Sequence, residues 1–179
     1  PDKSFVLRKG ISLYGGFEGD EEERDQRDPV NNRTTLSGII YGGTSYHVVW
    51  FTSNADETTV LDGFLITGGR AEDTLHLNEK RGGGIYNDGG SPIISNCNVK
   101  GNMATNGAGM YSRKGEPVIQ NCIFQLNTVK NGAGGALFSY EDVLTVSECI
   151  FRSNVVTNGS GGAVCIQTGV LKMDGCEFY

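Results

Sequence analysis

Four cysteines, Cys97, Cys122, Cys149 and Cys176, fall 25, 27 and 27 residues apart. Two residues after each stands Val99, Phe124, Phe151 or Phe178. Five residues after the first three stand Asn102, Asn127 and Asn154. A glycine-rich strand opening follows: GAGMY (107–111), GGALF (134–138) and GGAVC (161–165), with an earlier copy, GGGIY (82–86), before the first cysteine. A period of this length makes each copy one structural unit, which buries its apolar face only by stacking on its neighbours. Upstream the pattern weakens. TVLDGFL (59–65) aligns with IISNCNV (93–99) and puts Gly63 at the cysteine position. TTLSGII (34–40) puts Gly38 there in the same way. The longer step from Gly63 to Cys97 implies a loop inserted at about 70–81.

The apolar segments are four to seven residues long and rich in Val, Ile, Leu, Phe, Tyr and Thr. Glycine and asparagine punctuate them, and no stretch sustains a helical period. Three short strands and three turns fit into about 25 residues, which is one rung of a parallel β-helix with rungs ~4.8 Å apart. The expected fold class is therefore all-β: a parallel β-helix of about six rungs, right-handed by the rule for parallel crossovers. Residues at one repeat position form ladders along the axis. The predicted inward ladders are Ile94/Ile119/Val146/Met173, the cysteines, Val99/Phe124/Phe151/Phe178 and Ile85/Met110/Leu137/Val164.

Composition narrows the function classes. The formal net charge is −6, from 15 basic and 21 acidic residues, which argues against nucleic acid or an anionic membrane held by bulk charge. No apolar run is long enough for a transmembrane helix. Glycine, at 27 of 179 residues, is about twice its usual ~7% share, as a turn-dense solenoid requires. The chain opens almost at once into FVLRKGISLYGGF (5–17) and stops inside VLKMDGCEFY (170–179). We therefore expect a single domain over 1–179, cut from a longer chain that carries its targeting signals elsewhere.

These motifs resemble the right-handed parallel β-helix repeat proteins of bacterial surfaces, with their pectate-lyase-like fold. The FxxN and GGA(I/L/V) signatures of chlamydial-type polymorphic outer-membrane proteins are matched by Phe124–Asn127 with GGAL (134–137), and by Phe151–Asn154 with GGAV (161–164). Val99–Asn102 with GAGM (107–110) departs at two places. LYGGFEGDEEERDQRDPVNNRTTLSG (13–38) is similar to the opening segment of large secreted β-helix proteins of Bacteroidetes-like bacteria. The resemblance implies a secreted or outer-membrane, cell-surface location. It implies a non-enzymatic scaffold, adhesin or glycan-contacting role, with polysaccharide, host glycan or further β-helix rungs as partners. The alternative it leaves open is part of a polysaccharide lyase or glycoside hydrolase acting on acidic polysaccharide, because this fold hosts many functions.

Candidate site residues follow from strand alternation and charge. If Ile85, Met110 and Leu137 point inward, then Tyr86, Tyr111 and Phe138 point outward, with Trp50 extending the row, either as a platform for sugar rings or as rings stacked on each other or under the 70–81 loop. The turn beyond carries Asp88, then Arg113 and Lys114, then Tyr140 and Glu141. β-Helix lyases use Lys or Arg as the base, so Arg113 and Lys114 are the catalytic candidates, and salt bridges between turns are the bland alternative. Calcium is the one cofactor to weigh. The acidic stretch at 18–33 offers Glu18, Asp20 and Glu22 as ligands, against a short solvated helix with Asp20–Arg24 and Glu23–Arg27 pairs. The cysteines read as reduced and buried, with a disulfide as the alternative, and the asparagines as a structural ladder.

Overall fold

The computed structural model describes residues 3–72 and 80–179. The chain winds through about five turns of a parallel β-solenoid. The first turn contains β1 (Phe5–Leu7), β2 (Ser12–Tyr14) and β3 (Thr34–Ser37), then a small antiparallel hairpin, β4 (Ile39–Ile40) and β5 (Gly43–Thr44). The second contains β6 (Val49–Phe51), β7 (Val60–Asp62), β8 (Phe64–Thr67) and β9 (Arg70–Ala71). The third contains β10 (Ile85–Asp88), β11 (Ile93–Ser95), β12 (Asn98–Lys100) and β13 (Met103–Asn106). The fourth repeats this with β14 (Met110–Arg113), β15 (Val118–Gln120), β16 (Ile123–Gln125) and β17 (Thr128–Ala133). In the fifth, β18 (Leu137–Ser147) runs through the first two positions before β19 (Ile150–Arg152) and β20 (Val155–Ser160). β21 (Val164–Asp174) and β22 (Glu177–Phe178) begin a sixth turn, which is incomplete. Strands at one position pair in parallel from turn to turn, so the molecule has four columns of strands.

Each corner between columns carries a left-handed residue in turn after turn. Between the second and third columns these are Gly63, Asn96, Asn121, Glu148 and Gly175. Between the third and fourth they are Gly68, Gly101, Leu126 and Ser153. Between the first and second they are Gly89, Lys114, Glu141 and Thr168. Non-glycine residues stand there at a cost of about 1–2 kcal/mol each. At the corner from the fourth column back to the first, glycine stands in each turn from Gly82 on. A Cβ on Gly82, Gly107, Gly134 or Gly161 would lie 2.2–2.6 Å from a carbonyl oxygen three residues on. That is the physical origin of the glycine-rich strand opening.

The predicted ladders are present in register. Ile85 pairs with Met110, Leu137 and Val164 in succession, and Ile94 with Ile119, Val146 and Met173. Phe124 and Phe151 stack at 5.3 Å between ring centroids, and Phe151 and Phe178 at 5.0 Å. The asparagines form a buried hydrogen-bond chain. The Asn102 side chain donates to Asn127 Oδ1 at 3.2 Å and to the Ile66 carbonyl at 3.1 Å, and Asn127 donates to Asn154 and to the Val99 carbonyl in the same way. All five cysteines are free thiols. In their ladder each backbone N–H meets the sulfur of the next turn: Cys97 N donates to Cys122 Sγ at 3.4 Å, and Cys122 N to Cys149 Sγ at 3.4 Å.

Two alignments made from sequence are corrected. Leu61 pairs with Ile94 and Leu65 with Asn98, so Gly63 matches Asn96, and Phe64 continues the cysteine position. In the first turn Thr34, facing Phe64, holds that position, whereas Gly38 follows the Ser37–Thr67 pair at the next corner. The loop expected over 70–81 is also shorter. Arg70 and Ala71 are a strand paired with Met103 and Ala104, Arg81 bridges to Asn106, and the rest of that expectation lies outside the described residues.

Truncating a fully buried member of the aromatic ladder leaves a cavity with a neighbour above and below. Phe124→Ala should destabilise the protein by about 3–5 kcal/mol in urea denaturation. Phe178→Ala should cost clearly less, because 52% of Phe178 faces solvent. Equal losses, or none at Phe124, would contradict the assigned register.

Candidate functional site

The outward row of the first column is Val6, Trp50, Tyr86, Tyr111, Phe138 and Cys165, by strand pairing. Of the two readings of this row, a platform of exposed rings or rings stacked on each other, the structure shows the second: Tyr86, Tyr111 and Phe138 are only 3%, 2% and 6% exposed. The cause is stacking along the axis: Tyr86 lies on Tyr111 at 5.7 Å and Tyr111 on Phe138 at 5.3 Å, with interplanar angles of 12° and 6°. His47 continues the stack on the other face of Tyr86 at 4.7 Å, its Nδ1 at 2.9 Å from the Gly82 carbonyl. The Arg81 guanidinium sits 5.0 Å from the centre of the Tyr111 ring. Ring faces are therefore occupied by other rings. Among the rings of this row Trp50 alone keeps substantial exposure, at 37%, and it meets Tyr86 edge-on.

The next outward row is Asp88, Arg113, Tyr140 and Gln167. Arg113 Nε donates to Asp88 Oδ1 at 2.6 Å across one turn. That hydrogen bond raises the Arg113 pKa above its ordinary value, so the group stays protonated, opposite to what a general base requires. Lys114, at the left-handed corner, faces Glu141 at 3.7 Å. The two lyase candidates are thus each held by an acid of a neighbouring turn.

The acidic stretch leaves the solenoid at the corner after β2 and returns at β3. The short helix weighed here is present only as one 3-10 turn, Arg24–Gln26. The anticipated i,i+4 pairs are replaced by longer-range contacts. Arg24 and Arg27 lie over the Tyr14 ring at 4.6 and 5.4 Å, and Arg27 Nη2 pairs with Asp62 Oδ1 at 2.6 Å. Glu21 turns inward to accept from the backbone of Glu18 and Gly19 at 2.6 and 2.8 Å, which lowers its pKa. Glu18 and Asp20 line one shallow cleft with Glu21 and Asp28, and Glu22 is not part of it; among the described residues no three acids, histidines or cysteines converge on a point that could hold a metal ion.

Two features were not foreseen. Asp62 is a hub that also accepts from Ser95 Oγ at 2.7 Å and from Asn96 at 3.0 and 3.1 Å, tying the acidic stretch to the third turn. A groove of about 690 Å³ runs beside the aromatic stack, between the first column and the ends of β13, β17 and β20, with Arg81, Arg113 and Tyr140 among its lining residues. Neither leaves a local sequence signal, since each joins residues one or more turns apart.

With parallel columns, left-handed corners and repeated ladders established, the comparison with known families is decisive: residues 31–179 match the right-handed β-helix region. The chain belongs to the right-handed β-helix family. No curated protein and no solved structure matches it.

In this β-helix the buried acid most perturbed by its surroundings is Asp142, 1% exposed. Burial raises its pKa, against the opposing hydrogen bonds from Gly115 N at 2.7 Å, from Ser139 Oγ at 2.9 Å and from Ser112. Such a shift often marks a catalytic acid. Here the group is sealed between turns and has a structural role. Its stability effect has a definite sign. Below the unfolded carboxyl pKa the residue is protonated in both states and burial carries no charge penalty. As pH rises through the raised folded value, the ionised form is disfavoured and stability falls. Asp142→Asn should therefore gain stability relative to wild type as pH rises from about 4 to about 7, measured by urea midpoints across that range. A pH-independent difference would show that the carboxyl is not so perturbed.

Proposed function

We propose that this β-helix is a non-enzymatic, rigid segment of a secreted or cell-surface protein, acting as a scaffold or adhesin that holds other parts of the protein at a set distance. What supports this most directly is the fate of the side chains able to do chemistry. Arg113 is paired with Asp88, and Lys114 with Glu141. The positions that recur from copy to copy, the cysteines, asparagines, phenylalanines and corner glycines, serve contacts between turns. Such a molecule transmits its shape along one axis, and each turn depends only on its neighbours.

The competing reading is a polysaccharide lyase with Arg113 as its base. The Asp88 contact weighs against it by holding the guanidinium protonated. The two readings separate in one assay. Folded protein is incubated with plant, algal and host polysaccharides, with and without calcium, and new reducing ends are counted. The scaffold reading expects none above a protein-free control. Turnover that disappears in Arg113→Gln would overturn it in favour of the lyase.

A further inference from the structure

We infer that a second groove, beside the acidic stretch, is a docking site for an extended segment of a partner polypeptide, apolar along its length with a lysine or arginine at one end. This groove, of about 580 Å³, lies along the corner between the second and third columns, and the acidic stretch forms its wall. Its floor is the outward row of the third column, where Leu65, Asn98, Ile123 and Ile150 follow one another in register over four turns. Three steps of ~4.8 Å give it a length of about 14 Å, which about four residues of extended chain fill. The volume lies in the range of ligand sites.

The wall is fixed before any partner arrives. Arg27 is paired with Asp62, and Asp28 Oδ1 accepts from the backbone N–H groups of Val30 and Asn31 at 2.9 and 3.0 Å. That arrangement leaves the Val30 side chain in solvent at the rim, above the partly buried Ile123 and Ile150. A rigid apolar rim and floor gain by covering, at little cost in ordering.

Two half-used amides favour a polypeptide as the occupant. Gln125 Nε2 donates to Asn98 Oδ1 at 2.8 Å, which leaves the Asn98 amide nitrogen unused among the described residues. One turn on, Asn121 Nδ2 donates to Asn96 Oδ1 at 2.6 Å, which leaves the Asn121 amide oxygen unused. A free donor beside a free acceptor complements a peptide unit, which carries one C=O and one N–H. Charge sets the direction. On the wall Arg27 is neutralised by Asp62, and Asp25 and Arg33 offset each other in sign. Glu148, at the fifth-turn end, has no ion-pair partner among the described residues. The basic residue of the partner belongs there.

The test is selection of a phage-displayed library of random heptapeptides on the whole protein, followed by fluorescence-polarisation titration of the enriched sequence. The expected result is an apolar run ending in Lys or Arg. Affinity should fall about tenfold or more in Ile123→Glu, which places a charge on the floor. It should fall comparably in Asn98→Asp, which keeps the acceptor for Gln125 but replaces the free donor by a second acceptor. Exchanging the peptide's basic residue for glutamine should weaken binding to wild type but not to Glu148→Gln, as a double-mutant cycle requires of a direct contact. Lys114→Gln, outside the groove, should stay within about twofold of wild type. A wild-type urea midpoint for each variant separates lost binding from lost folding. No enrichment, enriched sequences without the apolar run or the basic residue, an unchanged affinity in Ile123→Glu, or displacement of the peptide by a glucose or glucuronic acid trimer would each overturn the inference. None of those results would disturb the scaffold reading, which does not depend on this groove.

Discussion

The backbone hydrogen bonds between successive turns set everything else in this molecule. They fix the rise at ~4.8 Å per turn and require each residue to sit directly over its counterpart. Any side chain is then judged against a near copy of itself above and below. Large apolar groups satisfy this by stacking, as Phe124, Phe151 and Phe178 do. Amides satisfy it by donating to one neighbour and accepting from the other, as the buried asparagines do. The thiols take part as well, supplying a sulfur acceptor to an N–H that the corner would otherwise leave unpaired.

The same constraint governs charge. Like charges one turn apart repel at close range, so the outward rows avoid them. Asp88 is followed by Arg113, and Lys114 by Glu141. Between Lys100 and Arg152 stands Gln125, whose amide oxygen accepts from Arg152 Nε at 3.1 Å. A catalytic cluster of acids on adjacent turns would work against this arrangement, and a bound cation or a substrate would have to compensate it.

How much of this could be read from the sequence depended on whether the repeat itself supplied the answer. The ladders were legible because the 25- and 27-residue steps fix them once the strands are assumed parallel. The alignment of Gly63 and Gly38 with the cysteines does not hold, because the upstream copies lack the cysteine that would fix their register. Gly63 stands at a left-handed corner with φ of 83°, where its counterpart is Asn96, and the core position passes to Phe64. The burial of Tyr86, Tyr111 and Phe138 was legible only as one of two open readings. Strand alternation tells which way a side chain leaves the sheet, but not what lies over it. Their burial comes from stacking along the axis, from His47 at one end and from Arg81 over Tyr111. Arg27 illustrates the same limit: its partner, Asp62, lies a full turn away, whereas helical spacing had offered Glu23.

The glycine corner has a bearing on how such a chain can change over time. Three of the four corners accept residues as different as Leu126, Glu148 and Thr168, so drift there is cheap. At Gly82, Gly107, Gly134 and Gly161 the carbonyl oxygen already occupies the space a β-carbon would need. Tolerance to substitution from Gly82 on is thus shaped like a comb, with one closed tooth per coil and open gaps between. Duplicating or deleting a whole coil preserves the comb, while an insertion that moves a tooth out of line does not. The natural unit of variation for this architecture is the complete coil rather than the single residue.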